Sequence, residues 1–117
     1  MTQIIEQLYP EKKQYFVVIT KQGTTKIKIE DILYFEKELR RIHVHTTEGI
    51  LSFYGSFKSL ERMVDYDFCR CHYSVIVNLN KINHLERYEL RLEGGEILTI
   101  SQRKYPTTRM RYLAFLK

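Results

Sequence analysis

The residues best equipped for chemistry in this chain are its four histidines and two cysteines, and their spacing decides what they can do. His43 and His45 alternate with Ile42 and Val44, so on a strand both imidazoles share one face. Paired imidazoles can act as acid and base in RNA cleavage; the plainer reading is a pair of half-exposed strand residues. Cys69 and Cys71 stand two apart, which on a strand also places them on one face, a poor arrangement for a mutual disulfide. Cys71-His72, with His43 and His45, offers metal-ligand types but fits none of the common zinc spacings. Buried, reduced thiols fit better. No glycine-rich phosphate loop, G-x-S-x-G elbow or H-E-x-x-H motif occurs. The expectation is a domain that is not an enzyme and uses no metal or cofactor.

Charge is more pointed than catalysis. The formal net charge is +5, and the first hundred residues balance. The excess comes from Arg103, Lys104, Arg109, Arg111 and Lys117, in a tail with no acid. Such a segment is either a solvated face or a contact for a polyanion, where each neutralised phosphate releases counterions.

The elements that must position these residues follow from pattern. A length of 117 residues suits one domain with one core, and 44% apolar with 28% charged residues is globular composition. Residues 1–13 form a weakly amphipathic lead-in ended by Pro10 and Glu11-Lys12-Lys13, and the domain proper spans 14–117. Tyr15 to Ile19, Ile27 to Ile29, Ile32 to Phe35, Ile42 to His45 and Ile50 to Tyr54 read as strands, with turns at Gly23 and at Thr47-Glu48-Gly49. Ser56 caps a helix carrying Phe57, Leu60, Met63 and Val64 at helical spacing through residue 65. From Cys69 to Asn80 the odd positions are apolar and the even ones polar, Ile76 excepted, which puts Tyr73 on the core face. Tyr88, Leu90 and Leu92 alternate, Gly94-Gly95 makes a two-residue turn, and Leu98 and Ile100 return. Pro106 to Leu116 reads as a helix with Met110, Leu113, Ala114 and Leu116 as its apolar stripe. Met1 to Glu6 has neither the basic nor the apolar region of an export signal. No apolar run approaches the roughly 20 residues a bilayer requires. A cytoplasmic protein without a membrane partner is expected.

No helix-turn-helix pair can be drawn, because the helix at 56–65 is followed by a strand. If the chain reads DNA, it does so with loops and strand ends. Residues 26–103 resemble the LytTR family of bacterial DNA-binding domains. The phrases are Ile29 to Glu36, Phe53-Tyr54-Gly55-Ser56-Phe57-Lys58-Ser59-Leu60, and Phe68-Cys69-Arg70-Cys71-His72-Tyr73-Ser74-Val75-Ile76-Val77-Asn78-Leu79. Ile82 and the final-strand phrase Leu98-Thr99-Ile100-Ser101-Gln102-Arg103 complete them, and the Phe-x-Arg-x-His-x-Ser-x-x-Val-Asn string is the specific one. Within the family the chain looks most similar to the accessory-gene-regulator type of response regulator, which controls quorum sensing.

The resemblance implies a mainly β fold, the β-β-β arrangement of small antiparallel sheets, here with a short internal helix and a C-terminal helix. It also implies loops that enter two successive major grooves and the minor groove between them. Three stretches carry the family's contacts. The first is the loop after Glu36, with Lys37, Arg40 and Arg41, where either arginine can form bidentate bonds to a guanine edge. The second is His72-Tyr73-Ser74; the family commonly has a basic or amide residue where Tyr73 stands. The third is Ser101-Gln102-Arg103-Lys104, where Arg103 matches a base-contacting arginine and gives the acid-free tail a role. Arg109 and Arg111 can add phosphate contacts. His72 is either a structural hydrogen-bonding residue or a phosphate contact, Lys81 is a solvent or phosphate residue, and Asn78 caps a turn. Some quorum-sensing relatives carry an oxidation-sensing cysteine where Cys71 stands, against which the inward alternation argues.

The implied function is a transcriptional regulator that binds double-stranded promoter DNA, as two copies on a direct repeat, with no catalytic residues. Family members usually follow a phosphoacceptor receiver domain, driven by a sensor kinase in a two-component system. Residues 1–25 cannot hold one, so the chain is a C-terminal fragment or a stand-alone regulator. The alternative is a protein-interaction module of the same fold with weak DNA binding.

Overall fold

The structure, a computed structural model, describes residues 3–5, 15–64 and 67–117. It divides into two compact units, Met1–Asp65 and Tyr66–Lys117. The lead-in at 1–13 lies outside the described residues except for Gln3–Ile5, which forms a strand.

The first unit is built from two meanders. In one, β1 (Gln3–Ile5), β2 (Tyr15–Thr20) and β3 (Gly23–Lys28) pair antiparallel in that order. In the other, β4 (Ile32–Glu38), β5 (Arg41–Thr46) and β6 (Gly49–Tyr54) do the same. Two hairpins share one turn device. Thr20 accepts from the Gln22 N–H at 3.2 Å and donates to the Gly23 carbonyl at 3.3 Å. Thr46 repeats this with Glu48 at 3.1 Å and Gly49 at 2.7 Å. The closing glycines sit at φ +142° and +136°, backbone that side chains rarely adopt.

Alternation decides burial here. Phe16 and Val18 of β2, and Ile42 and Val44 of β5, point inward, as period-2 patterning requires. Tyr34 and Phe35 are both buried although adjacent: they fall on opposite faces of β4, Phe35 in the core and Tyr34 stacked on His45. The Phe16 ring lies 5.1 Å from that of Phe35 and 5.9 Å from that of Phe53. A short helix, α1 (Phe57–Met63), starts where Ser56 accepts from the Ser59 N–H, and it buries Phe57 and Leu60. Gly55 packs closely beside it: a Cβ there would stand 3.2 Å from the Phe53 ring and 3.4 Å from Ile42.

The second unit opens with a hairpin, β7 (Phe68–His72) and β8 (Val75–Asn78). The stretch from 69 to 80, read as one alternation, is therefore split between two strands, and Tyr73, expected in the core, is 71% exposed at the turn. All four residues of β8 are buried, so Ile76 is no exception to a face. A 3-10 turn at Leu79–Lys81 follows, in which Asn78 Oδ1 accepts from the Asn80 N–H at 3.0 Å. Then β9 (Ile82–Glu86), β10 (Glu89–Leu92) and β11 (Ile97–Thr99) form a meander. Glu93 to Glu96 separate β10 from β11, longer than the expected two-residue turn, with Gly94 and Gly95 at φ +93° and +95°.

The chain ends in α2 (Tyr105–Phe115). Its expected apolar stripe is on the wrong side: Met110, Leu113 and Leu116 are 64%, 43% and 59% exposed. The packed side carries Thr108, which is buried, and Tyr112, whose hydroxyl donates to the Ile82 carbonyl at 2.9 Å. Positions 108, 112 and 115 share one face of a 3.6-residue helix, and 110 and 113 fall opposite. Among the described residues no helix is long and apolar enough to cross a membrane.

Candidate nucleic-acid interface

Among the described residues, each unit presents a candidate cationic surface. In the first unit it is the tip of the β4–β5 hairpin. The expected loop after Glu36 is instead strand: pairing runs on through Lys37↔Ile42 to Glu38↔Arg41, leaving a two-residue turn at Leu39-Arg40. Lys37, Arg40 and Arg41 are all exposed. Arg41 is braced, its guanidinium 5.4 Å from the ring centre of Tyr54 on the neighbouring strand. Arg40 stands at the tip, where its carbonyl accepts from the Gly55 N–H at 3.1 Å. Leu39 has φ +56° and is 87% exposed. Left-handed backbone costs a residue with a Cβ roughly 1–2 kcal/mol, and two-residue hairpins normally spend Asn, Asp or Gly there.

Behind this tip, hydrogen bonds cross the strands. His43 Nε2 is 2.9 Å from Glu38 Oε1, and its Nδ1 is 2.6 Å from Ser52 Oγ. His45 Nε2 is 2.9 Å from Glu36 Oε1, and its ring stacks on Tyr34 at 4.0 Å. The order Ser52–His43–Glu38 is that of a hydroxyl–imidazole–carboxylate relay. Its evident work is to tie β4, β5 and β6 together. Sequence reading missed these pairs; the signal was there in Glu36, Glu38, His43 and His45, all at alternating positions of adjoining strands.

In the second unit the site is assembled from two turns. The first joins β7 to β8 at Tyr73-Ser74. Arg70 Nη2 donates to the Tyr73 carbonyl at 2.6 Å and clamps it. His72 Nδ1 accepts from the Ser74 N–H at 3.2 Å and lies 2.9 Å from Ser74 Oγ. A ring nitrogen that accepts is unprotonated, so the neutral imidazole carries its proton on Nε2, as a donor. The Tyr73 ring lies 4.6 Å from that of His72. The second turn covers 101–104. The Ser101 N–H donates to the Cys71 carbonyl at 3.1 Å, and the Lys104 N–H donates to the Ser101 carbonyl at 3.0 Å and to its Oγ at 3.2 Å. Arg103 is exposed and Lys104 half-buried.

The structure thus brings His72, Tyr73 and Ser74 beside the turn that holds Ser101, Arg103 and Lys104. It engages Lys81 otherwise: its ammonium, mostly covered, lies 3.8 Å from Glu93 Oε1. Sequence reading also missed Arg87. Its guanidinium is 6.0 Å from the ring centre of Tyr105, which meets Tyr88 edge-on at 5.6 Å, and Tyr105 directly follows Lys104. The Ile100 N–H donates to the Tyr88 carbonyl at 2.8 Å, which ties this turn to the segment leading into 101–104.

Both cysteines are free and buried. Burial, reinforced by the neighbouring Cys69 and opposed by a backbone hydrogen bond, pushes the Cys71 thiol up to about 12. Cys69 Sγ is 3.9 Å from Thr108 Oγ1, which donates onward to the Lys104 carbonyl at 2.8 Å.

The family model for the LytTr DNA-binding domain matches residues 22–112. The chain belongs to the LytTR family of DNA-binding domains. Accessory gene regulator protein A of Staphylococcus aureus (strain N315) is 29% identical over 87 residues, 71% of this chain. Its counterpart in Staphylococcus epidermidis is 30% identical over 73 residues, 59% of the chain. The matches span 36% and 30% of those relatives' own lengths. A solved LytTr DNA-binding domain from Bacillus cereus superposes with a TM-score of 0.71 at 24% identity, covering 87% of this chain and 98% of that one. The mainly β LytTR fold expected from sequence is the fold observed.

Proposed function

We propose that this chain is the sequence-specific DNA-binding part of a bacterial transcriptional regulator, the output domain of a two-component response regulator or a stand-alone regulator. The observation that carries the reading is the LytTR family match across 22–112. The geometry suits it. In the first unit, Arg40 and Arg41 project from a rigid hairpin as one groove-entering element. In the second, Arg103 projects from a turn tied to β7, with His72 Nε2–H and Ser74 beside it as donors to phosphate. Arg103 reads a base edge, and Lys37, Lys104 and Arg87 neutralise phosphates; Ser101 positions the turn and Tyr73 contacts the backbone or a sugar. Lys81 contributes only if phosphate displaces Glu93. Two copies bind a promoter direct repeat, their loops in successive major grooves. The accessory gene regulator relatives favour a quorum-sensing circuit in the cytoplasm, with a receiver domain and sensor kinase as the source of input.

Selection of duplexes from a random library tests this. The expected product is a family of sites in which one short sequence recurs in direct orientation, bound far more tightly than the starting pool. A library that yields no enriched sequence refutes specific reading, and enrichment of single, unrepeated sites refutes the two-copy mode.

A further inference from the structure

We infer that Leu39 is a specificity-determining residue, whose side chain packs against the C5-methyl group of a thymine in the major groove. The inference rests on the DNA-binding reading and goes beyond it, to a base type and a position on the protein. Leu39 is anomalous twice over. Its backbone is left-handed at φ +56°, and its side chain is 87% exposed, more than any other large apolar residue described. Neither feature helps the folded chain: Asn or Gly would make the same turn with less strain and no apolar surface in water. Strain and exposed apolar surface maintained together, where the backbone is tightly held, point to use in contact with another molecule. The backbone is held here: Glu38 pairs with Arg41 below the turn, and the Gly55 N–H grips the Arg40 carbonyl.

Charge says what that molecule is. Leu39 is surrounded by Lys37, Arg40 and Arg41, all exposed, while Glu38, the acid among them, is engaged by His43. An apolar tip ringed with cations complements a polyanion that carries small apolar spots. The major groove of DNA offers one such spot per A·T pair, the thymine methyl, and apolar side chains read it by contact. A two-residue hairpin tip is narrow enough to enter that groove, which admits a two-stranded ribbon.

The experiment uses the duplex selected by the full chain, with each thymine replaced in turn by deoxyuridine, which lacks only the methyl. The parent and Leu39→Asn are titrated against each duplex and against random DNA; Asn tolerates left-handed backbone, so the turn survives, and equal or higher melting temperature verifies it. The parent should lose about fourfold in affinity at one thymine, the ratio that burying one methyl group corresponds to. Leu39→Asn should lose about the same on the thymine duplex, become indifferent to deoxyuridine at that position, and bind random DNA like the parent. A parent indifferent to every replacement, or a variant that still discriminates, overturns the inference. So does a folded variant that binds the selected duplex as tightly as the parent. If the parent selects no duplex at all, the DNA-binding reading fails and this inference with it; every other negative result leaves that reading standing.

Discussion

The backbone N–H of Ser101 reaches the carbonyl of Cys71 across 3.1 Å, so the turn bearing Arg103 is fastened to the strand that ends at His72. Two segments thirty residues apart are thereby tied by backbone, and the exposed Arg103 side chain takes no part in that tie.

Arg103→Ala should accordingly weaken binding to the selected duplex and relax preference at one base position, and leave the domain folded. A lost bidentate contact to a base costs about 1–3 kcal/mol, and Arg103 is exposed, with no core packing to lose. Fluorescence anisotropy on the selected duplex, with a thermal melt as control, measures both. A variant that binds its site as tightly as the parent means Arg103 is a bystander.

Arg40 and Arg41 should divide their labour. Arg41 is braced on Tyr54 and sits at the strand end, which suits a phosphate contact; Arg40 at the tip suits a base. Arg41→Ala should weaken specific and random DNA alike and reduce the slope of log affinity against log salt by roughly one unit. Arg40→Ala should weaken the specific duplex by about 1–3 kcal/mol and relax preference at one base position. Identical, purely non-specific losses in both variants would contradict this.

Cys71 should behave as a structural thiol. Its burial moves the thiol from an ordinary 9.0 to about 12. Between those values the unfolded chain releases a proton that the folded chain keeps, so the stability present below pH 9 is lost as pH rises toward 12. Chemical denaturation from pH 9 upward should show the parent losing stability more steeply than Cys71→Ala; parallel slopes would contradict the buried-thiol account. Labelling of the native thiol should be slow, and mild peroxide should leave DNA binding intact. Fast labelling, with loss of binding that reductant restores, would make Cys71 a redox switch.

Ser56→Ala should destabilise the first unit by about 1 kcal/mol, the usual value of an N-cap, since Ser56 Oγ accepts from the Ser59 N–H at 3.2 Å. A urea melt reads this directly. DNA specificity should not change, because α1 carries none of the proposed contacts.

How much of this was legible in the sequence varied with how local the determining physics was. Ser56, Gly55 and the Thr-x-x-Gly turns act within a few residues, and the strands and the first helix around them follow from pattern. Tyr73 did not, because alternation cannot show where a strand folds back, and Tyr73 falls in the turn between β7 and β8. Met110, Leu113 and Leu116 misled because a stripe of apolar residues says that a face exists, not that something covers it; Thr108 and Tyr112 win the packed side through hydrogen bonds. Of the site, Arg103 and His72 came from motif, whereas the exposure of Leu39 and the Arg87–Tyr105 contact depend on register and on pairings between distant segments.

The most direct test of the central claim is a gel shift of the full chain on its selected duplex with excess random competitor DNA, at two salt concentrations. A regulator that reads sequence keeps its own duplex against competitor at both salts while overall affinity falls as salt rises. If random DNA displaces the protein as readily as the selected duplex at both salts, the chain is not a sequence-specific DNA reader.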